Sequence, residues 1–337
     1  MINFKRLSFL IIILTNYFSA FSQSINEIVD IGDLILTNGE RIMNCRVGFR
    51  TIGKVNENST NVIVYPTWFE GTSEDIINLI RKYNFIDTTK YFIIAIDAPG
   101  NGESSSPSNY NYDFPQITIR DMINSQYRLL KYHFHLNKIK AVIGGSMGGM
   151  QALEWAAAYP EYAEKVVSYS GTPKISSYDL LWMNTLLEVI EKLKEQGLSE
   201  KEIIKIKNMM IAMIARTPEY VNEKTDLENF QTYLLSFEKE PKEKFTLDDY
   251  VIQLKALMEH DITKDYNNSY QELAKKIKTE IFIIVSETDM MVNPEESLKL
   301  ADVLGCRKLI LNNNCGHLAP SCEIERVREE INQFLDE

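Results

Sequence analysis

A chain of 337 residues, 45% hydrophobic and 25% charged, has the make-up of an ordinary globular protein, long enough for one large α/β domain or two smaller ones. Its net charge of −11 argues against nucleic acid or an anionic membrane surface as partner.

The first element in the chain reads as an export signal. Lys5 and Arg6 precede the apolar run Phe9-Leu10-Ile11-Ile12-Ile13-Leu14, and Ala20 and Ser22 supply a small-x-small ending. This is the pattern of a secretory signal peptide cut after Ser22. The run is too short to span a bilayer comfortably. No cysteine precedes Cys45, which argues against a lipid anchor. Residues 1–22 are therefore expected to be a signal peptide. Residues 23–337 are expected to form a mature domain outside the cell or in the periplasm, with no stable membrane insertion.

Leu34–Thr37 and Arg41–Thr51 read as strands joined at Asn38-Gly39, a hairpin signal that predicts an antiparallel edge. Asn61–Tyr65 is a third strand and runs into Pro66-Thr67-Trp68-Phe69-Glu70-Gly71. Ser73 is placed to cap a helix carrying Ile76, Ile77, Leu79 and Ile80. Tyr91–Ile96 is an apolar strand followed by the turn-rich Asp97–Ser104. Thr118–His133 reads as a helix, and Lys165–Tyr169 as a buried strand. After about Ile175 the strand–helix alternation stops. Residues 175–276 are helical in pattern, broken by charge and a proline at Lys239–Lys244. Strands resume at Ile281–Val285 and Lys308–Leu311, with helices at Pro294–Leu304 and Glu323–Leu335, so the stretch reads as an inserted helical lid rather than a free-standing domain. Continuous apolar strands alternating with helices predict an α/β fold, a mostly parallel sheet covered on both faces.

Chemistry concentrates at Lys140–Ala156. An apolar run breaks at Gly144-Gly145-Ser146-Met147-Gly148-Gly149 and continues as a helical segment. A strand turning through glycines into a helix, with a serine at the apex, is the pattern of a nucleophile elbow. Gly144 and Gly148 leave the room such a turn needs. The helix N-terminus would face developing negative charge. A phosphate-cradling loop is disfavoured, because no Gly-Lys-Ser/Thr follows and the G-x-G-x-x-G spacing is absent. A plain tight turn with a buried serine is the remaining alternative.

A serine nucleophile needs a base and an acid, which in such folds follow it in the order acid, then histidine. Of four histidines, His133 and His135 precede Ser146, and His260 lies within the lid. His317 directly follows the last strand and is the expected base. After the preceding strand Glu287 and Asp289 both qualify as the acid, and Asp289 is preferred for its place beyond the strand tip. The oxyanion hole is expected to use the N–H of Met147 and one from the loop after the third strand. Pro66 has none, which leaves Thr67 or Trp68, with Trp68 preferred. Met209, Met210, Ile211, Met213 and Ile214 are either an acyl-pocket lining or the packing face of the lid. Cys45, Cys306, Cys315 and Cys322 allow three pairings and require none. Cys315 lies near His317 but lacks an activated turn of its own, so it is not read as a nucleophile.

The run Gly144-Gly145-Ser146-Met147-Gly148-Gly149-Met150-Gln151-Ala152-Leu153-Glu154-Trp155 resembles, nearly letter for letter, that of the homoserine O-acetyltransferase-like branch of the α/β-hydrolase superfamily. Phe114–Met122, the Gly100–Ser108 loop and Ala256–Ile262 are similar too, and the resemblance extends from about residue 29 to the C-terminus. It implies the α/β-hydrolase fold, with Ser146 as nucleophile, Asp289 as acid and His317 as base. Two features depart from the family. Leu318 stands where the homoserine enzymes carry an aspartate that holds the substrate's amino group, and Thr67–Gly71 replaces their small oxyanion loop. An exported protein would also lack acetyl-CoA. The expectation is an exported ester hydrolase that takes a small-molecule acyl ester and needs no metal or cofactor. An acetyl-CoA-dependent O-acyltransferase is the alternative, and a non-catalytic binding protein a second one. The sequence leaves a homodimer open.

Overall fold

The computed structural model describes residues 26–240 and 243–337, so the expected signal peptide, residues 1–22, lies outside the described residues. The strands are β1 Glu27–Asp30, β2 Leu34–Ile35, β3 Arg41–Ile42, β4 Arg46–Ile52, β5 Val62–Pro66, β6 Phe92–Ile96, β7 Ile139–Gly145, β8 Ala163–Tyr169, β9 Glu280–Ser286 and β10 Arg307–Leu311. Eight of them form one sheet in the order β1-β4-β6-β5-β7-β8-β9-β10. β1 with β4, and β4 with β6, pair antiparallel. All other neighbours pair parallel.

β5 and β6, and the middles of β7, β8 and β9, are apolar because both faces are covered. In β5, Val62 and Val64 enter one core while Ile63 and Tyr65 enter the other; in β6, Ile94 and Ile96 oppose Ile93 and Ala95 in the same way. Helices α1 Ser73–Tyr83, α2 Ile119–Arg128 and α3 Met147–Ala158 lie between the earlier strands. Between β8 and β9 come α4 Ser177–Glu195, α5 Glu200–Ala215, α6 Pro218–Lys224, α7 Phe230–Leu235, α8 Leu247–Met258 and α9 Tyr270–Ala274. The chain closes with α10 Glu295–Leu304, α11 Ala319–Cys322 and α12 Ile324–Asp336. Ile76, Ile77 and Ile80 of α1 and Val327, Ile331 and Phe334 of α12 fill one face; Met122, Leu153 and Leu300 of α2, α3 and α10 fill the other.

Three local readings are corrected. The Asn38-Gly39 hairpin exists, but β2 and β3 make a separate two-stranded sheet, and β1 supplies the antiparallel edge. The stretch Arg41–Thr51 is broken at Asn44, whose φ of 48° turns the chain between β3 and β4. The cap of α1 is Thr72, not Ser73. The Thr72 hydroxyl accepts from the Asp75 N–H at 3.3 Å, and the Asp75 carboxylate takes the Thr72 N–H at 2.8 Å. Ser73 instead gives its N–H and hydroxyl to buried Asp97, at 2.7 and 2.6 Å. The helix expected over Thr118–His133 is α2, capped by Thr118, followed by one wider turn at Leu129–His133.

The helical insertion is rooted where Pro173–Ile175 meets His260–Ile262. The Ile175 N–H donates to His260 O at 3.1 Å and the Ile262 N–H to Pro173 O at 2.9 Å. His260 is buried there, its Nε2–H donating to Thr172 O at 3.0 Å. Its Nδ1 lies 3.8 Å from Glu154, which pairs with Arg120. Burial lowers its pKa from 6.5 to about 4. Below pH 6.5 the unfolded chain therefore takes up a proton that folded His260 refuses. This stability is complete above pH 6.5 and falls as pH drops toward 4, by up to about 3 kcal/mol. Urea denaturation should show the wild type losing about 2 kcal/mol more than His260→Gln between pH 7 and pH 5. Equal losses in the two proteins would rule this out.

Candidate active site

Ser146 sits between β7 and α3 with φ 54° and ψ −125°, a conformation that costs a non-glycine residue about 1–3 kcal/mol. Its neighbours enforce it. The Ser146 N–H donates to Tyr169 O at 2.9 Å, and Ser146 O accepts the Met150 N–H at 3.0 Å. Strand and helix cross so closely that a Cβ on Gly144 would lie 2.1 Å from Gly148 O, and one on Gly148 would lie 2.6 Å from Pro66 O. Both glycines are therefore required by close approach. Ser146 itself remains partly exposed.

The structure brings Ser146, His317 and Asp289 into one hydrogen-bonded chain. His317 follows β10, and its Nε2 lies 3.0 Å from Ser146 Oγ. Its Nδ1 lies 2.8 Å from Asp289 Oδ2. An ionised carboxylate only accepts, so Nδ1 carries the proton and Nε2 is left to accept from the serine hydroxyl. Asp289, beyond β9, is fixed by two donors: its Oδ1 accepts the N–H groups of Met291 and Val292 at 2.8 and 2.9 Å. Asp289 and His317 are 5% and 7% exposed, so the relay is shielded from water except at the serine. Glu287, the other candidate acid, is exposed, and the carboxylate on His317 is that of Asp289. His260 is at the insertion root, and His133 ends the wide turn after α2.

The Met147 N–H is at the N-terminus of α3, beside Ser146. The Thr67 N–H is spent on Ile96 O at 3.1 Å, whereas that of Trp68 meets no backbone acceptor among the described residues. Of the two loop candidates the bonding pattern therefore leaves Trp68. The Trp68 indole folds over Gly71, where a Cβ would lie 2.6 Å from the ring.

A buried amide relay, not anticipated from the sequence, holds this loop against α3. The Trp155 indole N–H donates to Gln126 at 2.8 Å, Gln126 to Gln151 at 2.6 Å, and Gln151 to Thr67 O at 2.9 Å. From above, Lys207 of α5 pairs with Glu70, its ammonium 4.1 Å from the Tyr250 ring centroid. Phe69 packs on Tyr250 with centroids 4.6 Å apart. The insertion is thereby tied to the loop bearing Trp68. Within the apolar cluster of α5, Met210 and Ile211 pack against the core and Met213 is exposed.

A family model described as the alpha/beta hydrolase fold matches residues 61–321. The chain is 32% identical to an ethyl acetate hydrolase of Pseudomonas veronii over 52% of each chain. It spans about half the length of the curated esterases it matches. It is 28% identical to a homoserine O-acetyltransferase of Carboxydothermus hydrogenoformans over 90% of this chain and 93% of the other. The crystal structure of an acetylester hydrolase from Corynebacterium glutamicum superposes with a TM-score of 0.83 at 23% identity, covering 93% of this chain and 96% of that one. The resemblance to homoserine O-acetyltransferases thus runs along nine-tenths of the chain, while the fold is shared with esterases as well. On this match the chain belongs to the alpha/beta hydrolase fold family.

Proposed function

We propose that this protein is a serine acyl-transfer enzyme, and within that class an exported carboxylic ester hydrolase. The observation that carries the reading is the unbroken relay from Ser146 Oγ through His317 to Asp289. Ser146 Oγ attacks the ester carbonyl while His317 Nε2 takes its proton. Asp289 holds the imidazole in the tautomer that can accept. Negative charge on the carbonyl oxygen is met by the Met147 and Trp68 N–H groups, about 3–4 kcal/mol for each donor. His317 returns its proton to the departing alcohol. Water, deprotonated by the same nitrogen, then releases the acid and frees Ser146.

The acceptor is read as water because of the neighbourhood of His317. Leu318 is 38% exposed and apolar, and cannot make a charge-assisted contact to an ammonium group. The name of the Pseudomonas relative supports a short acyl group. Export rests on the basic and apolar pattern of residues 1–22. A mature N-terminus at Gln23 in protein from the native cell supports it, and one at Met1 removes it.

The alignment with homoserine O-acetyltransferases keeps acetyl transfer as a second reading. One comparison separates the two. Wild-type protein is given p-nitrophenyl acetate, butyrate and octanoate, and separately acetyl-CoA with homoserine. The proposal expects ester turnover, fastest on the short esters, and no homoserine-dependent thiol release. The reverse pattern would establish the transferase. Inertness toward every acyl donor would point to a binding protein.

A further inference from the structure

His317 lies inside a covalent ring. Cys315 and Cys322, separated by 7 positions, form a disulfide with Cα atoms 6.6 Å apart. The ring contains Gly316, His317, Leu318 and all of α11. Gly316 has a φ of 61°, and a Cβ there would lie 2.9 Å from Ala215 O and 3.1 Å from Arg216 Cα. The end of α5 therefore rests directly on the ring. Arg216 Nη1 donates to Cys315 O at 3.4 Å and lies 3.7 Å from Cys322 Sγ. The Thr217 hydroxyl donates to Asn314 O at 2.6 Å. From the sheet side, the Ser170 hydroxyl donates to His317 O at 3.2 Å.

We propose that the Cys315–Cys322 disulfide is a positioning clamp on His317, and that the oxidised protein is the fully active form. The proposal rests on the reading of His317 as the base. That imidazole must meet Ser146 and Asp289 at once, at 3.0 and 2.8 Å. It does so from a single 3-10 turn, Gly316–Leu318, followed by a helix of only 4 residues. So short a helix has no stability of its own to hold the turn in place. The disulfide ties the last residue of that helix, just ahead of α12, to buried Cys315. Opening it leaves the turn held only by hydrogen bonds, from Arg216, Thr217 and Ser170 and through Asn313, whose Oδ1 accepts the Cys315 N–H at 3.0 Å and whose amide donates to Ala319 O and Glu323.

The chemistry closes without any group from the active site. In forming the bond, Cys315 and Cys322 lose two protons and an electron pair to an external disulfide, which leaves as two thiols. In the reverse direction a trialkylphosphine takes the oxygen of one water and becomes its oxide, and the water's two protons end on the cysteine sulfurs. Cys322 is exposed and gives such a reagent access. Cys45 and Cys306 are already free thiols, and so do not respond to reduction.

The test compares full-length mature protein as purified, after phosphine reduction and desalting, and after reoxidation with oxidised glutathione. Thiol counts are taken at each stage, with p-nitrophenyl acetate as substrate and circular dichroism to follow folding. Reduction should lower kcat by about 10- to 100-fold, the effect of misplacing a reacting group by an ångström or less. KM should stay unchanged, and reoxidation should restore the rate. The Cys315→Ser/Cys322→Ser double variant should match the reduced wild type and ignore phosphine; Cys306→Ser should behave as wild type. A reduced, folded wild type with undiminished kcat would overturn the clamp, even if its melting temperature falls. So would four free thiols in the fully active protein. If the double variant does not fold, the phosphine arm on folded wild type decides. His317→Ala is the discriminating control: activity surviving in it would overturn the base assignment, and the clamp with it. Its inactivity alongside an unaffected reduced wild type would overturn the clamp alone.

Discussion

Ser146→Ala should lower kcat for p-nitrophenyl acetate by about 10⁵- to 10⁶-fold, the scale seen when the nucleophile is removed from a serine enzyme. The protein should remain folded, because the strained turn around Ser146 is held by backbone bonds to Tyr169 and Met150 and not by Oγ. Its melting temperature should change little, since the one hydrogen bond that Oγ makes, with His317 at 3.0 Å, lies at a partly exposed position. A residual rate from the oxyanion donors and ester binding would persist. Steady-state kinetics with a burst-phase control, next to a melting curve, measures both effects. Retention of more than a tenth of the wild-type kcat would remove Ser146 from the mechanism.

Asp289→Asn should cost about 10⁴-fold in kcat with a smaller change in KM. The replacement is isosteric, but an amide presents a donor or a neutral acceptor to His317 Nδ1. Bonded to the amide NH₂, the imidazole is held with its proton on Nε2, the wrong nitrogen to accept from Ser146. The amide oxygen could still accept the N–H groups of Met291 and Val292, so the turn should survive. Glu287→Gln is the internal contrast. Exposed Glu287 takes no part in the relay, and its replacement should leave kcat within about twofold of wild type, as for most surface changes. Comparable losses from both substitutions would contradict the assignment of the acid.

Much of the site was legible in the sequence because its demands are local. The glycines flanking Ser146 are required by a crossing of backbones, and such a requirement leaves a mark at fixed spacing. The parallel strands β5 to β9 were readable for a related reason: burial on both faces demands apolar runs at their middles, whereas β10, at the sheet edge, alternates buried Leu309 and Leu311 with exposed Lys308 and Ile310. β1 was missed because Glu27-Ile28-Val29-Asp30 has charged ends and little burial, and exists as a strand only through pairing with β4. The cap of α1 moved from Ser73 to Thr72 because buried Asp97, which lies 24 positions away, claims Ser73.

Other parts of the site could not be read in this way because they join distant segments. The relay from Trp155 through Gln126 to Gln151 and Thr67 links three separate elements, and nothing in the spacing of these residues announces it. Trp68 is preferred over Thr67 as oxyanion donor from the sequence, but the reason the structure offers, a bond from the Thr67 N–H to a strand 29 positions on, is not visible in the loop itself. Pairing among four cysteines likewise depends on where a short helix brings Cys322, not on the count.

The proposed mechanism requires that Ser146 form a covalent acyl intermediate with His317 as its base. Reaction with a fluorophosphonate, followed by digestion and mass mapping, tests it most directly. A single adduct on the peptide carrying Ser146 is expected in wild type, and essentially none in His317→Ala over the same time. An adduct on another residue, or rapid ester turnover with Ser146 unlabelled, would contradict the account.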